Sequence, residues 1–91
     1  MTQYVTGAND KEIPVFSVKR LLAKAGSVAV SIYFSYTTKG TKEGDAFEIP
    51  VSTTYKFTAP EGKFFTFVIV TSASASTIDL LPTNMNVELI A

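Results

Sequence analysis

Four carboxylates stand in two close pairs, Asp10 with Glu12 and Glu43 with Asp45, and each pair has a lysine beside it, Lys11 or Lys42. Two carboxylates can contribute oxygens to a calcium ion, which takes about six to eight of them. Neither segment matches the calcium-loop pattern, and the neighbouring ammonium groups oppose a bound cation. Paired carboxyls can also hydrolyse glycosides, but only when they face each other across a cleft, and nothing in the spacing implies one. Serine is the other reactive type, concentrated in TSASAST from Thr71 to Thr77. A serine nucleophile needs a base, and no GxSxG or SxxK arrangement supplies one. The chain has no His and no Cys, so the commonest general base, the thiolate nucleophile and the principal zinc ligands are all missing. The expectation is a protein without a catalytic centre, cofactor or metal, and hence not an enzyme.

Composition narrows the class further. The 91 residues make one domain, spanning 1–91, and 46% apolar content with 7 Phe and 4 Tyr places it among globular chains. Eight basic residues balance eight acidic ones. Phosphate-backbone binding draws on a basic patch, and the one cluster, Lys19, Arg20 and Lys24, is small, so nucleic acid is not an expected partner. No apolar run approaches the roughly 20 residues of a membrane span, and the opening MTQYVTGAND lacks the charged and apolar regions of a signal peptide. A cytoplasmic site of synthesis is expected.

What must position these groups is a set of strands. Val28, Val30, Ile32, Phe34 and Tyr36 alternate with Ala29, Ser31, Tyr33 and Ser35, the period of a half-buried strand. Phe47, Ile49, Val51, Thr53, Tyr55 and Phe57 alternate in the same way over 47–57, and Met85, Val87 and Leu89 mark a last strand over 85–90. TTKGTKEGD at 37–45 and APEGK at 59–63 read as loops. In the second, Gly62 can take the positive φ of a tight turn, which implies a hairpin from 47–58 to 63–71. Over 17–25 two readings stand nearly level. Ser17 as N-cap, Gly26 as stop and a shared Val18–Leu21–Leu22–Ala25 face favour a short helix. A strand is favoured by an internal repeat: EIPV occurs at 12–15 and 48–51, an offset that also lays Gly26 on Gly62. A match that short arises by chance too. Pro14 and Pro50 belong on edge strands, strand starts or bulges.

The fold class that follows is all-β: a single-domain antiparallel β-sandwich or small barrel, jelly-roll-like architectures included, with or without the helix at 17–25. The expected core is Val28, Val30, Ile32, Phe34, Phe47, Ile49, Val51, Tyr55, Phe57, Phe65, Phe67 and Ile69. The strand FFTFVIV at 64–70 is apolar on both faces. With odd positions assigned inward, Phe64, Val68 and Val70 point outward and need a covering layer. Either the chain itself covers them, with a short helix at 17–25 as the layer, or another subunit does, and on the second reading they are the candidate interface.

In size, alternation, neutral composition and the TSASAST stretch, the chain resembles the small β-sandwich proteins of bacteriophage virions, the penton, cement and decoration proteins. The resemblance implies a structural role, a homo-oligomer, contact with a major capsid protein and a place in the virion, but no motif carries functional residues across. The alternative is a β-sandwich module binding carbohydrate or peptide through loops 37–45 and 59–63. The lack of Trp and the inward parity of most aromatics weigh against it.

Overall fold

Among the described residues strand pairing is nested, the first strand with the eighth and so on inward. The structure, a computed structural model, describes residues 2–36 and 42–83. They form eight strands: β1 (Thr2–Thr6), β2 (Lys11–Val18), β3 (Arg20–Ala25), β4 (Val30–Ser35), β5 (Glu43–Ile49), β6 (Thr54–Thr58), β7 (Phe65–Ser72) and β8 (Ser76–Thr83). The antiparallel couples are β1 with β8, β2 with β7, β3 with β6 and β4 with β5. Two further ladders, β3–β8 and β4–β7, roll this long ribbon into two sheets. Their orders are β1-β8-β3-β6 (sheet A) and β2-β7-β4-β5 (sheet B). That is the strand order of a jelly roll, an eight-stranded sandwich built of two Greek keys. The barrel option is set aside.

Alternation explains most of the strands. In β4 Val30 and Ile32 are buried while Ser31 and Tyr33 turn outward; in β8 Ser76, Ile78 and Leu80 are buried against Thr77 and Asp79. Segment 17–25 is the exception, and it contains no helix: β2 ends at Val18, Lys19 makes the corner, and β3 follows. β3 lies between β8 and β6, and Leu21, Leu22 and Ala23 are all buried. Burial of Leu22 on the face that also bears exposed Lys24 interrupts the period of two, and a short apolar run then imitates a helix. The alternation over 47–57 hid a break of the opposite kind. It runs straight through a turn at Pro50–Thr53, where Thr53 N–H donates to Pro50 C=O at 3.2 Å and Ser52 has φ 55°. The segment is two strands in different sheets. The hairpin expected between 47–58 and 63–71 is therefore not formed, because β6 belongs to sheet A and β7 to sheet B. The tight turn within it is real: Lys63 N–H donates to Pro60 C=O at 3.0 Å, with Gly62 at φ 80°. The strand expected over 85–90 and residues 37–41 of the loop expected over 37–45 lie outside the described residues, and Glu43–Asp45 of that loop are part of β5.

Between the sheets lies one core cluster, with Ile13, Leu21, Val30, Ile32, Ile49, Phe65, Val68, Val70, Ile78 and Leu80 among its members. Aromatic rings close one side seam, where the edge strands β5 and β6 meet. Phe47 packs edge-on against Tyr55 at 4.9 Å and Phe57 at 5.3 Å, and Phe34 bridges Phe57 and Phe65 at 4.9 and 4.8 Å. β1 and β2 are the edges on the other side. Of the expected core, Val30, Ile32, Ile49 and Phe65 are fully inside, and Phe34, Tyr55 and Phe57 pack against it half-buried. Val28 and Phe67 are half-buried, while Phe47 and Val51 are exposed, the latter by the turn that ends β5.

Candidate interaction surface

The ladder between β2 and β7 shows how the outward face of the FFTFVIV strand is arranged. Pro14 sits opposite Phe67 and Val18 opposite Phe65, so Val15, Phe16 and Ser17 on β2 face a single residue, Thr66. Such a bulge bends its strand and re-aims the side chains on it. Parity in β7 changes across the same place: Phe65, Val68 and Val70 are all in the core. Val68 and Val70 are thus interior residues, not the outward-facing pair that parity from Phe65 implied. Of the three expected interface residues only Phe64 is on the surface, 47% exposed. The true outer face of β7 carries Phe67, Ile69 and Thr71. Ile69 is buried yet lies outside the core cluster, and it is flanked by Glu12 and Tyr33. The second apolar face is covered by the chain itself.

Lys42 lies against Tyr33, one of these flanking residues. Its ammonium lies 4.6 Å from the centre of the Tyr33 ring and 2.9 Å from Asp10 Oδ2. The hydrogen bond to Asp10 holds its pKa above the ordinary lysine value. Asp10 is therefore an ion-pair partner. Among the described residues no three of His, Cys, Asp and Glu converge as a metal would require.

The serines of TSASAST have structural partners too. Thr6 Oγ1 donates to Ser72 Oγ at 2.8 Å, and Ser72 Oγ donates on to Ser74 C=O at 2.7 Å. Ser76 Oγ accepts from Val28 N–H and donates to Val28 C=O, both at 3.0 Å. These bonds pin the connections at one end of the sandwich. Nearby, Val28, Ala29, Ser31, Glu48, Thr71 and Ala73 line a shallow depression of about 380 Å³. Among the described residues Glu48 is the single charged group along it.

The opposite end is different in chemistry. Lys19, at the β2–β3 corner, donates to Pro60 C=O at 2.8 Å and to Lys63 C=O at 3.2 Å, and it lies 5.6 Å from the Phe64 ring centre. Lys63 sits 5.2 Å from the Tyr36 ring centre. Three lysine–aromatic contacts in so short a chain exceed the usual frequency of about one per 70–80 residues. Among the described residues the most exposed large apolar one is on the β2 bulge. Phe16 is 82% exposed, and both it and Ser17 have φ 58°. Positive φ is uncommon outside glycine and an outlier for a bulky residue. No periodicity could reveal Phe16, because its exposure comes from the bulge. The one sequence sign was Pro14, which places a strand at an edge or a bulge.

Comparison with known proteins finds no matching family model, no similar curated protein and no similar solved structure.

Proposed function

We propose that this chain is a non-enzymatic structural protein that assembles with copies of itself, of the kind that forms minor components of a virion shell: a penton, cement or decoration protein. The observation that supports the reading is Phe16. Two consecutive residues in left-handed conformation cost of order 1–3 kcal/mol each, and here the strain holds a phenyl ring in water. An arrangement unfavourable to the isolated chain is understandable if the ring is buried on assembly. Aromatic anchors dominate the energetics of many protein interfaces. A jelly roll is compatible with this role, but the same architecture serves lectins, so the fold carries none of the argument.

The test is the mass in solution by light scattering over a range of concentrations, for the native chain and for Phe16→Ser. The native chain is expected to form a closed oligomer that Phe16→Ser reduces toward monomer, with unchanged circular dichroism. A native chain that stays monomeric throughout would overturn the proposal. So would a Phe16→Ser variant that assembles as well as the native chain.

A further inference from the structure

A sandwich of two four-stranded sheets has four edge strands, here β1 and β6 in sheet A and β2 and β5 in sheet B. Exposed edges invite pairing with other chains, and proteins blunt them with charges, proline and bulges. Three of these four are blunted. β2 carries Pro14 and the Phe16–Ser17 bulge, and it ends its regular pairing there. β5 carries Glu43, Asp45 and Glu48, with Gly44 at φ 76° and a register shift against β4. β6 holds Lys56 at its middle, exposed. β1 has none of these devices. Its sequence is Thr-Gln-Tyr-Val-Thr, uncharged, without Pro or Gly, and Thr2, Gln3 and Val5 are exposed, Val5 by 67%. On one side it pairs with β8; among the described residues nothing pairs with its outer edge.

We infer that β1 is a self-pairing edge, joining two copies of this chain antiparallel about a two-fold axis so that sheet A continues from one subunit into the next. The inference rests on the self-assembly proposed above and gives it a geometry. Thr2-Gln3-Tyr4-Val5-Thr6 reads almost the same from either end. Antiparallel pairing centred on Tyr4 sets Thr2 opposite Thr6 and Gln3 opposite Val5, with no charge facing a like charge. A two-fold contact needs such a self-complementary patch. Placement supports the same occupant. The aromatic seam closes β5 on β6, so β1 and β2 share the other side of the sandwich. A β1–β1 pair therefore brings the bulged β2 of each subunit, with Phe16, to the margin of the same contact. The ladder and the ring then act together, which matters because a five-residue strand alone is a small interface.

The chain has no cysteine of its own, so single cysteines report proximity cleanly. Gln3→Cys and Val5→Cys, each otherwise native and full length, are mixed in equal amounts under mild oxidation, with Thr58→Cys on β6 as the control edge. Covalent dimers in the mixture are expected at least tenfold faster than with Thr58→Cys, because directly opposed residues in an antiparallel pair lie within disulfide reach. Faster linkage of either variant alone moves the axis by one residue and keeps the edge pairing. If light scattering shows an oligomer while neither β1 cysteine links faster than the control, the edge assignment is overturned and self-assembly stands. If the native chain is monomeric, both fall.

Discussion

Glu-Ile-Pro-Val occurs twice, at 12–15 and at 48–51, on the two opposite edges of sheet B, and the copies end in opposite surroundings. Ile13 and Ile49 are both fully buried. Val15 is buried as well, whereas Val51 is 51% exposed. Identical residues on equivalent edges diverge because the chain continues differently. After Pro14 the strand bulges and carries on to Val18; after Pro50 it turns and leaves the sheet. The relation between the copies extends beyond the tetrapeptide. Leu21 lies directly opposite Phe57 and Tyr33 opposite Ile69, and both partners are 36 positions apart, as the two EIPV copies are. In strand order, the arms β2–β3–β4 and β5–β6–β7 are thus placed as mirror counterparts about the β3–β6 and β4–β7 ladders. The outer ladders depart from this placement: Ile13 faces Val68, but Ile49 faces Val30 and not Ile32, a slip of two residues. The inner ladders keep the 36-residue correspondence, and the edges diverge where bulge and turn differ.

Substitutions in matched pairs can break or sharpen this comparison. The largest effect belongs to the residues the arms share: Ile13→Ala and Ile49→Ala should each cost about 2–5 kcal/mol. Denaturant midpoints that fall for one variant alone would show that only one arm carries the core. Next come the valines. Val15→Ser places a hydroxyl in the interior and should cost about 2 kcal/mol or more, whereas Val51→Ser should stay within about 0.5 kcal/mol. Equal losses would mean that the turn after Pro50 does not expose its valine in solution. The matched glycines should fail for different reasons. A methyl group on Gly26 would lie 2.3 Å from Thr77 Oγ1 and 3.3 Å from Thr77 backbone atoms, an overpacking worth about 1–3 kcal/mol. Gly62 has open space around it but φ 80°, so alanine there should cost about 1–2 kcal/mol through backbone strain alone. A Gly26→Ala/Thr77→Ser double variant keeps the hydroxyl and should recover little, while Gly26→Ala/Thr77→Ala should recover part of the loss. Thermal melts that show no recovery in the latter would point to the backbone contacts as the limit. The smallest effect has the opposite sign. Phe16→Gly relieves a positive φ and removes an exposed ring, so the monomer should gain up to about 1 kcal/mol, while assembly weakens.

The sequence was readable where a strand has one wet face. β4 is a clear instance: Val30 and Ile32 alternate with Ser31 and Tyr33, and the structure buries the first pair. Legibility failed in three places for three reasons. In β3 Leu22 is buried on the face that also bears exposed Lys24, so its alternation vanished into a helical-looking Leu-Leu-Ala run. The turn at Pro50–Thr53 preserved alternation across a change of sheet, and Ser52 took a positive φ where glycine would have announced it. In β7 both faces are apolar, so nothing local could choose between odd and even, and the bulge opposite changed the parity partway along. The surface residue on which the proposed function rests, Phe16, owes its exposure to that same bulge. Local pattern reports solvent on one side of a strand, and it is silent where solvent is excluded from both sides or where the ladder slips.

The nested pairing also sets a schedule. β8 is inserted between β1 and β3, so sheet A is two unconnected pieces until residues 76–83 exist, although sheet B has all its strands by Ser72. At a synthesis rate of about 5–20 residues per second, β1 waits roughly 4–14 s for its only partner among the described strands to be made. Contacts so distant along the chain are slow to close even after synthesis ends. Sheet B is therefore the part that can form first, and β8 acts as a keystone. While the ribosome is still at work, β1 is an uncharged strand with neither edge occupied, and crowded polysomes would bring such strands from neighbouring nascent chains together.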